Sequence, residues 1–310
     1  MIFVTPLILD EQIRTAIRLR KGLIPANTNA YRIFDGVGDG RQGVFIDTFA
    51  GHWLISYREN VPDVSWLKGH EFKSVWVKQL DREDKGGPQC VMGNPDDHRI
   101  IINENGIDYE VDFAAGYSQG LFLDQRSNRR HVAERSHGMR ILNCFAYTCG
   151  FSVAAAASGA KSTTSIDLSR SYLEWGKRNF SLNGIDPGGA DHYFCRGDVF
   201  EWLSQFHKKK RAFDGVILDP PSFSRVKRGA VFTVEKGYPA LVEAALRIVA
   251  PGGWILACCN HHGVSKERFA SLVKQGVSAS NRAIVAEAIR PMPLDFSGEE
   301  YLKSMILEIA

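Results

Sequence analysis

Three aspartates close apolar runs in the second half of the chain: Asp167 in "STTSIDLS", Asp198 in "FCRGDVF" and Asp219 in "FDGVILDPPSFSR". A carboxylate at the C-terminal end of a buried strand can accept hydrogen bonds from a ligand laid across the strand ends. At the second strand of a parallel sheet such an acid suits ribose hydroxyls, and an acid one strand along suits an adenine amino group. Asp219 runs into Pro220 and Pro221, which forbid further sheet pairing and hold carbonyl acceptors in fixed directions. Phe223 adds a flat face, and base–aromatic stacking is worth about 1–3 kcal/mol. The earlier run "NCFAYTCGFS" brings Asn143, Phe145 and Tyr147, with Gly150 to permit close backbone approach. The chemistry implied is a nucleoside cofactor gripped by acids, with a planar group held beside Asp219 and Pro220.

A dinucleotide would prefer GxGxxG after the first strand. "NCFAYTCGFS" has one glycine and two bulky aromatics, a poor cradle for a pyrophosphate. S-adenosylmethionine carries no phosphate; its sulfonium and amino acid end call for carboxylates, carbonyls and aromatic faces. An Asp-Pro-Pro-aromatic turn at a strand end resembles motif IV of methyltransferases that act on planar amines and bases.

These residues need a particular frame. From about residue 126 the pattern alternates: helix "SNRRHVAERS" with Ser127 as candidate cap, strand "MRILNCFAY", helix "GFSVAAAASG", strand "KSTTSIDLS", helix "SRSYLEWGKRNFSLNG" and so on to a closing strand "SMILEIA". That alternation predicts an α/β fold with a doubly wound, mostly parallel sheet of Rossmann-like type. Residues 31–115 read as a smaller β-rich N-terminal domain, with strands either side of Ala50-Gly51 and a hairpin about Asn105-Gly106. No crossover helix is evident there, so an antiparallel unit is expected. Boundaries fall at 1–30 (a helical lead), 31–115 and 116–310.

At 44% hydrophobic and 24% charged, the 310 residues have the profile of a globular protein, with no apolar run near the ~20 residues that span a bilayer. No basic stretch and cleavage site open the chain, so a cytoplasmic protein is expected. The six cysteines lack CxxC spacing, which predicts free thiols and no metal site. Net charge is only +3, yet basic residues cluster at 126–140, 208–211 and 224–229, and are expected to flank the cleft and hold phosphates. Arg225, Lys227 and Arg228, on the long link after Asp219, are the candidate phosphate contacts.

The stretches "GLFLDQRSNRR", "LNCFAYTCGFSVAAAASGAKSTTSIDLSRSYLEWGKRNFSLNG" and "FDGVILDPPSFSRVKRG" together resemble the bacterial 23S ribosomal RNA methyltransferase family, over about residues 100–310. "YRIFDGVGDGRQGVFIDTFAGHWLI" is similar to the opening of that family's β-rich central domain. Members often begin with an RNA-binding PUA domain, for which the 30 residues before Tyr31 are too few. The resemblance implies S-adenosylmethionine as cofactor and RNA as partner, with no membrane and no metal, in a monomer or homodimer. It implies that Asp167 and Leu168 meet the ribose side and Asp198 the adenine. Asn143, Phe145, Tyr147, Gly150 and Asp219 would line the cofactor, with Asp124, Gln125 and Arg126 near its methionine end and Arg126 forked onto the carboxylate.

The atom methylated stays open between two branches. Cytosine-C5 members use a cysteine thiolate at the end of the strand after the "PGG" turn, a covalent mechanism. Counted without a gap, that place falls on Asn260 in "PGGWILACCNHHG", with Cys259 one residue early and on the other strand face. Asn260 fits the guanine-N7 branch, where positioning beside the sulfonium suffices. Asp219, Pro220, Phe223 and Asn260 are then the catalytic candidates. A one-residue slip would restore Cys259. A methyltransferase acting on a protein or small molecule, and a cofactor-binding module without catalysis, are the remaining readings.

Overall fold

The computed structural model describes residues 6–59, 64–80, 86–221, 223–225 and 231–310. They form two compact units, the first taking residues up to Arg126 together with Pro293–Glu300, the second taking the rest.

The first unit runs α1 (Pro6–Arg20), β1 (Ala30–Asp35), β2 (Val44–Phe49), β3 (His52–Tyr57), β4 (Ser74–Gln79), β5 (Gln89–Met92), β6 (Arg99–Glu104) and β7 (Ile107–Asp112). β1 to β5 form one sheet in sequence order, and β6 and β7 a separate hairpin. Asn105 and Gly106 both have positive φ, 54° and 84°, as a tight hairpin turn requires. The antiparallel expectation is corrected at one place: β3 and β4 pair parallel, joined through a short 3-10 helix, Ser65–Gly69.

The domain boundaries also change. Leu9, Ile13 and Ala16 recur along one stripe of α1 and share a core with Ile33, Ile46, Ile55 and Leu67, so the lead helix is part of this unit. The segment 293–300, expected in the larger domain, belongs here because of Asp295. That fully buried carboxylate is ion-paired with Arg126 and accepts the Arg32 N–H at 2.9 Å. Its backbone carbonyl accepts from Arg20 at 3.0 Å, and Arg20 in turn forks onto Asp39. A buried ion pair that lost one partner would cost about 3–5 kcal/mol.

The second unit continues with α2 (Arg126–Arg135), β8 (Arg140–Cys144), α3 (Gly150–Ala157), β9 (Ser162–Asp167), α4 (Arg170–Leu182), β10 (His192–Arg196), α5 (Val199–Lys208), β11 (Phe213–Leu218), β12 (Phe223–Arg225), β13 (Val231–Thr233), α6 (Val234–Leu246), β14 (Val249–Cys259), α7 (Lys266–Ser280), β15 (Ile284–Arg290) and β16 (Lys303–Ile309). A seven-stranded sheet has the order β10-β9-β8-β11-β14-β16-β15. The first five are parallel, and β16 runs antiparallel to β14 and β15. This is the Rossmann-like sheet expected. The chain winds outward from β8 through β9 to β10, then returns to β11 on the other side of β8. The switch point, where such sheets bind ligands, therefore lies between β8 and β11.

Two details differ from expectation. Helix α2 starts at Arg126, after a 3-10 turn over Leu123–Gln125, so Ser127 is not its cap. Strand β15, "IVAEAIR", escaped notice because this edge strand is exposed on both faces and shows no alternation.

Candidate active site

Sheet register sets the rim. Ile166, Cys144, Leu218 and Ala257 lie in one row across β9, β8, β11 and β14. The next residues along are Asp167, Phe145, Asp219 and Cys258. Arg196 pairs with Asp167, which puts Asp198 two residues beyond the same row. The three aspartates thus stand on one edge of one sheet, with Asp167 and Asp219 two strand spacings, or about 10 Å, apart.

Asp167 is held tightly. Its Oδ2 accepts the Tyr147 N–H and its Oδ1 the Ser169 N–H, both at 2.8 Å. Burial pushes its carboxyl above the ordinary value, against the pull of the Ser169, Tyr147 and Leu168 N–H groups. Leu168, next in the chain, is 51% exposed. Asp198 is buried and caps α5, its Oδ1 accepting the Glu201 N–H at 3.1 Å.

The loop after β8 is strained where the sequence did not signal it. Gly150, expected to permit close backbone approach, is the first residue of α3. The left-handed residues are Phe145, Tyr147 and Cys149, at φ 61°, 50° and 62°. Each costs on the order of 1–2 kcal/mol. Neighbouring elements hold the loop in this form. Ala146 N–H donates to the Ile166 carbonyl at 2.8 Å, and Asn179 Nδ2 to the Thr148 carbonyl at 3.0 Å. Gly176 leaves room for Cys149, whose Sγ would lie 2.3 Å from an added Cβ. The Tyr147 ring stands edge-on to Tyr172, centroids 4.6 Å apart, and Phe145 packs on the core. Asn143 is buried; its Nδ2 donates to Ser152 Oγ at 3.0 Å, while its Oδ1 has no hydrogen-bond partner among the described residues.

At β11, Asp219 is half-buried and Pro220 buried. Behind them lies Tyr238 of α6, which sequence reasoning missed. Its buried hydroxyl sits 2.8 Å from the Cys258 carbonyl and 3.3 Å from that of Leu218, tying the ends of β14 and β11 together. Lys303 is a second omission: buried at the start of β16, its Nζ donates to the carbonyls of His261 (2.6 Å) and Tyr301 (2.7 Å). It props the turn that carries exposed Asn260. A polar start to the last strand was the only sequence signal for it. His261 is exposed and His262 stacks on Tyr301.

This rim, with its acids in register at the switch point, suits a nucleoside bearing no phosphate. Residues 66–280 match the family model for S-adenosylmethionine-dependent methyltransferases. The chain belongs to that family. Among relatives of this methyltransferase is the putative ribosomal RNA large subunit methyltransferase YwbD of Bacillus subtilis, 34% identical over 96% of this chain and 79% of that protein. Another is the ribosomal RNA large subunit methyltransferase K/L of Psychrobacter sp., 41% identical over 64% of this chain but only 24% of that longer protein. The crystal structure of SMU.776, a putative methyltransferase complexed with SAH, superposes with a TM-score of 0.87 at 28% identity, covering 99% of this chain and 83% of that one.

S-adenosylmethionine is the cofactor of this methyltransferase. The second unit offers groups that fit it: a carboxylate able to accept from hydroxyls at Asp167, an exposed apolar side chain at Leu168, and at Asn143 a buried acceptor with no partner among the described residues. Asp124, Gln125 and Arg126 are all buried in the first unit, and Arg126 already forks onto Asp295. The side chains of Phe223 and Arg225, and the whole of Lys227 and Arg228, lie outside the described residues. No group of three or more His, Cys, Asp or Glu placed to hold a metal occurs among the described residues, and no described helix is long and apolar enough to cross a membrane.

The raised Asp167 carboxyl gives the methyltransferase a pH signature. Were Asp167 to hold the ribose hydroxyls, they would favour its ionised form, and the bound pKa would lie below that of the free enzyme. Cofactor affinity is then full above the raised value and declines as pH falls through it. Calorimetric titration through mildly acid buffers measures this. A flat profile down to the usual carboxylate range contradicts it.

Proposed function

We propose that this methyltransferase modifies a base of large-subunit ribosomal RNA at a guanine ring nitrogen, N7, by direct transfer without a covalent base–enzyme intermediate. The relatives named for large-subunit ribosomal RNA support the substrate class. The position of Cys259 carries the choice of mechanism. Its side chain is buried in the core formed with Tyr238, Val264 and Phe269, 1% exposed. Cys258 points to the opposite face, 3.9 Å from Asn128 Nδ2. Burial pushes the Cys259 thiol up, and Lys303 and the His261 N–H only partly offset that. A neutral thiol inside the core is a poor nucleophile for C6 of a pyrimidine.

The bound cofactor supplies an electrophilic methyl group, and guanine N7 has its own lone pair. The protein then needs only to place and orient the base. Asn260 presents an amide at the tip of β14, able to bond a base edge, and Asp219 and the Pro220 carbonyl fix its plane. Tyr238 and Lys303 hold these strand ends from behind.

Cys259→Ser is the test. Transfer to ribosomal RNA should stay within about threefold of the parent, since burial rather than reactivity explains the residue. A 5-fluorocytosine RNA should form no denaturation-resistant adduct with the parent enzyme. A trapped thiol adduct, or loss of activity in a folded serine variant, would overturn direct transfer.

A further inference from the structure

The strand order separates the basic clusters that the sequence suggested would flank one cleft. α5 begins at the rim beside Asp198 and ends at Lys208, at the N-terminal ends of the parallel strands. α2 likewise ends at Arg135, just before β8 starts at Arg140. From one end of β9 to the other is about 17 Å.

At that far end Lys161, Lys208, Lys209 and Lys210 are all exposed, immediately ahead of the starts of β9 and β11. The three consecutive lysines make no ion pair among the described residues. Arg211 anchors them: its guanidinium lies over the Tyr193, Phe206 and Phe213 rings and Nη2 donates to Thr164 at 3.1 Å. Lys210 is left-handed, φ 53°, and turns the chain outward from the helix end. The acids nearby do not neutralise this surface. Asp214 is forked by Arg140, at 2.7 and 2.9 Å, and feels Lys161 as well. Asp186 and Asp191 act on His192 at the start of β10.

The geometry points to a second RNA-contact surface, formed by Lys161 and Lys208–Lys210, that grips the phosphate backbone of a part of the substrate remote from the methylated base. It rests on the proposed RNA substrate. Exposed lysines act as point charges toward phosphate, and protein interfaces are depleted of them at their centres. Residues 207–210 include no large apolar side chain to anchor a protein partner. Cations at the C-terminus of α5 also suit its dipole, worth about 0.3–1 kcal/mol each, so the test must separate that role from RNA binding.

The full chain with K208Q/K209Q/K210Q is compared with the parent for binding to deproteinised 23S ribosomal RNA, and to a short oligonucleotide carrying the modified position, across a salt series. The slope of log K against log salt should fall by about two to three for the long RNA, at roughly 0.7–0.9 per lost contact, and stay put for the short one. Cofactor affinity should not change, and any drop in melting temperature reports the dipole alone. An unchanged slope for the long RNA, or equal losses on both RNAs, overturns the remote surface. An unchanged slope with lost binding to intact large ribosomal subunits would assign it to a protein instead. If the parent shows no salt-dependent RNA binding at all, the RNA substrate itself fails and this surface with it.

Discussion

Asp167→Ala is expected to lower affinity for S-adenosylmethionine on the order of 100-fold or more, measured by calorimetry. Two effects add. Ribose hydroxyls lose a charged acceptor, at about 1.5–3 kcal/mol per hydrogen bond. The Tyr147 N–H also loses its partner, and with it one of the bonds holding a loop that has three left-handed residues. Asp167→Asn separates the two. Its amide can accept one hydrogen bond but turns an N–H toward either Tyr147 or Ser169, so affinity should fall between the alanine variant and the parent. Unchanged affinity in the alanine variant would remove Asp167 from the cofactor site.

Asp219→Ala is expected to reduce kcat by about 100- to 1000-fold while leaving cofactor affinity largely intact, because the task proposed for it is orienting the base during transfer. The change sits in front of an intact support, since Tyr238 still ties β11 to β14. A variant that lost cofactor binding and activity in parallel would make Asp219 a cofactor residue only. Single-turnover transfer to ribosomal RNA at saturating cofactor distinguishes these outcomes.

Much of the second unit was legible because its signals are local. Apolar runs that end in Asp167 and Asp219, separated by amphipathic helices, can form little other than parallel strands with acids at one edge. The face of Cys259 was also readable, because strand alternation fixes it once the start of β14 is known. Hidden features depend on long-range contacts. The ion pair of Asp295 with Arg126 spans 169 residues and redraws the unit boundary. Arg126 followed the helix-start pattern and resembled a ligand residue, but nothing nearby in the chain announced its partner. The parallel pairing of β3 with β4 needed only a short 3-10 crossover, too brief for a periodic signal. The left-handed backbone of Phe145, Tyr147 and Cys149 was unreadable because strain at non-glycine residues is imposed by the surroundings. Charge runs show no direction, so only the sheet topology could place Lys208–Lys210 opposite the rim.

Mass spectrometry of nucleosides from purified 23S ribosomal RNA, taken from cells with and without the gene, tests the proposed reaction most directly. A methylguanosine should disappear with the gene, and return when the purified enzyme and S-adenosylmethionine are supplied to RNA from the deletion strain. Loss of 5-methylcytidine instead, or an unchanged nucleoside profile, would contradict direct methylation of guanine.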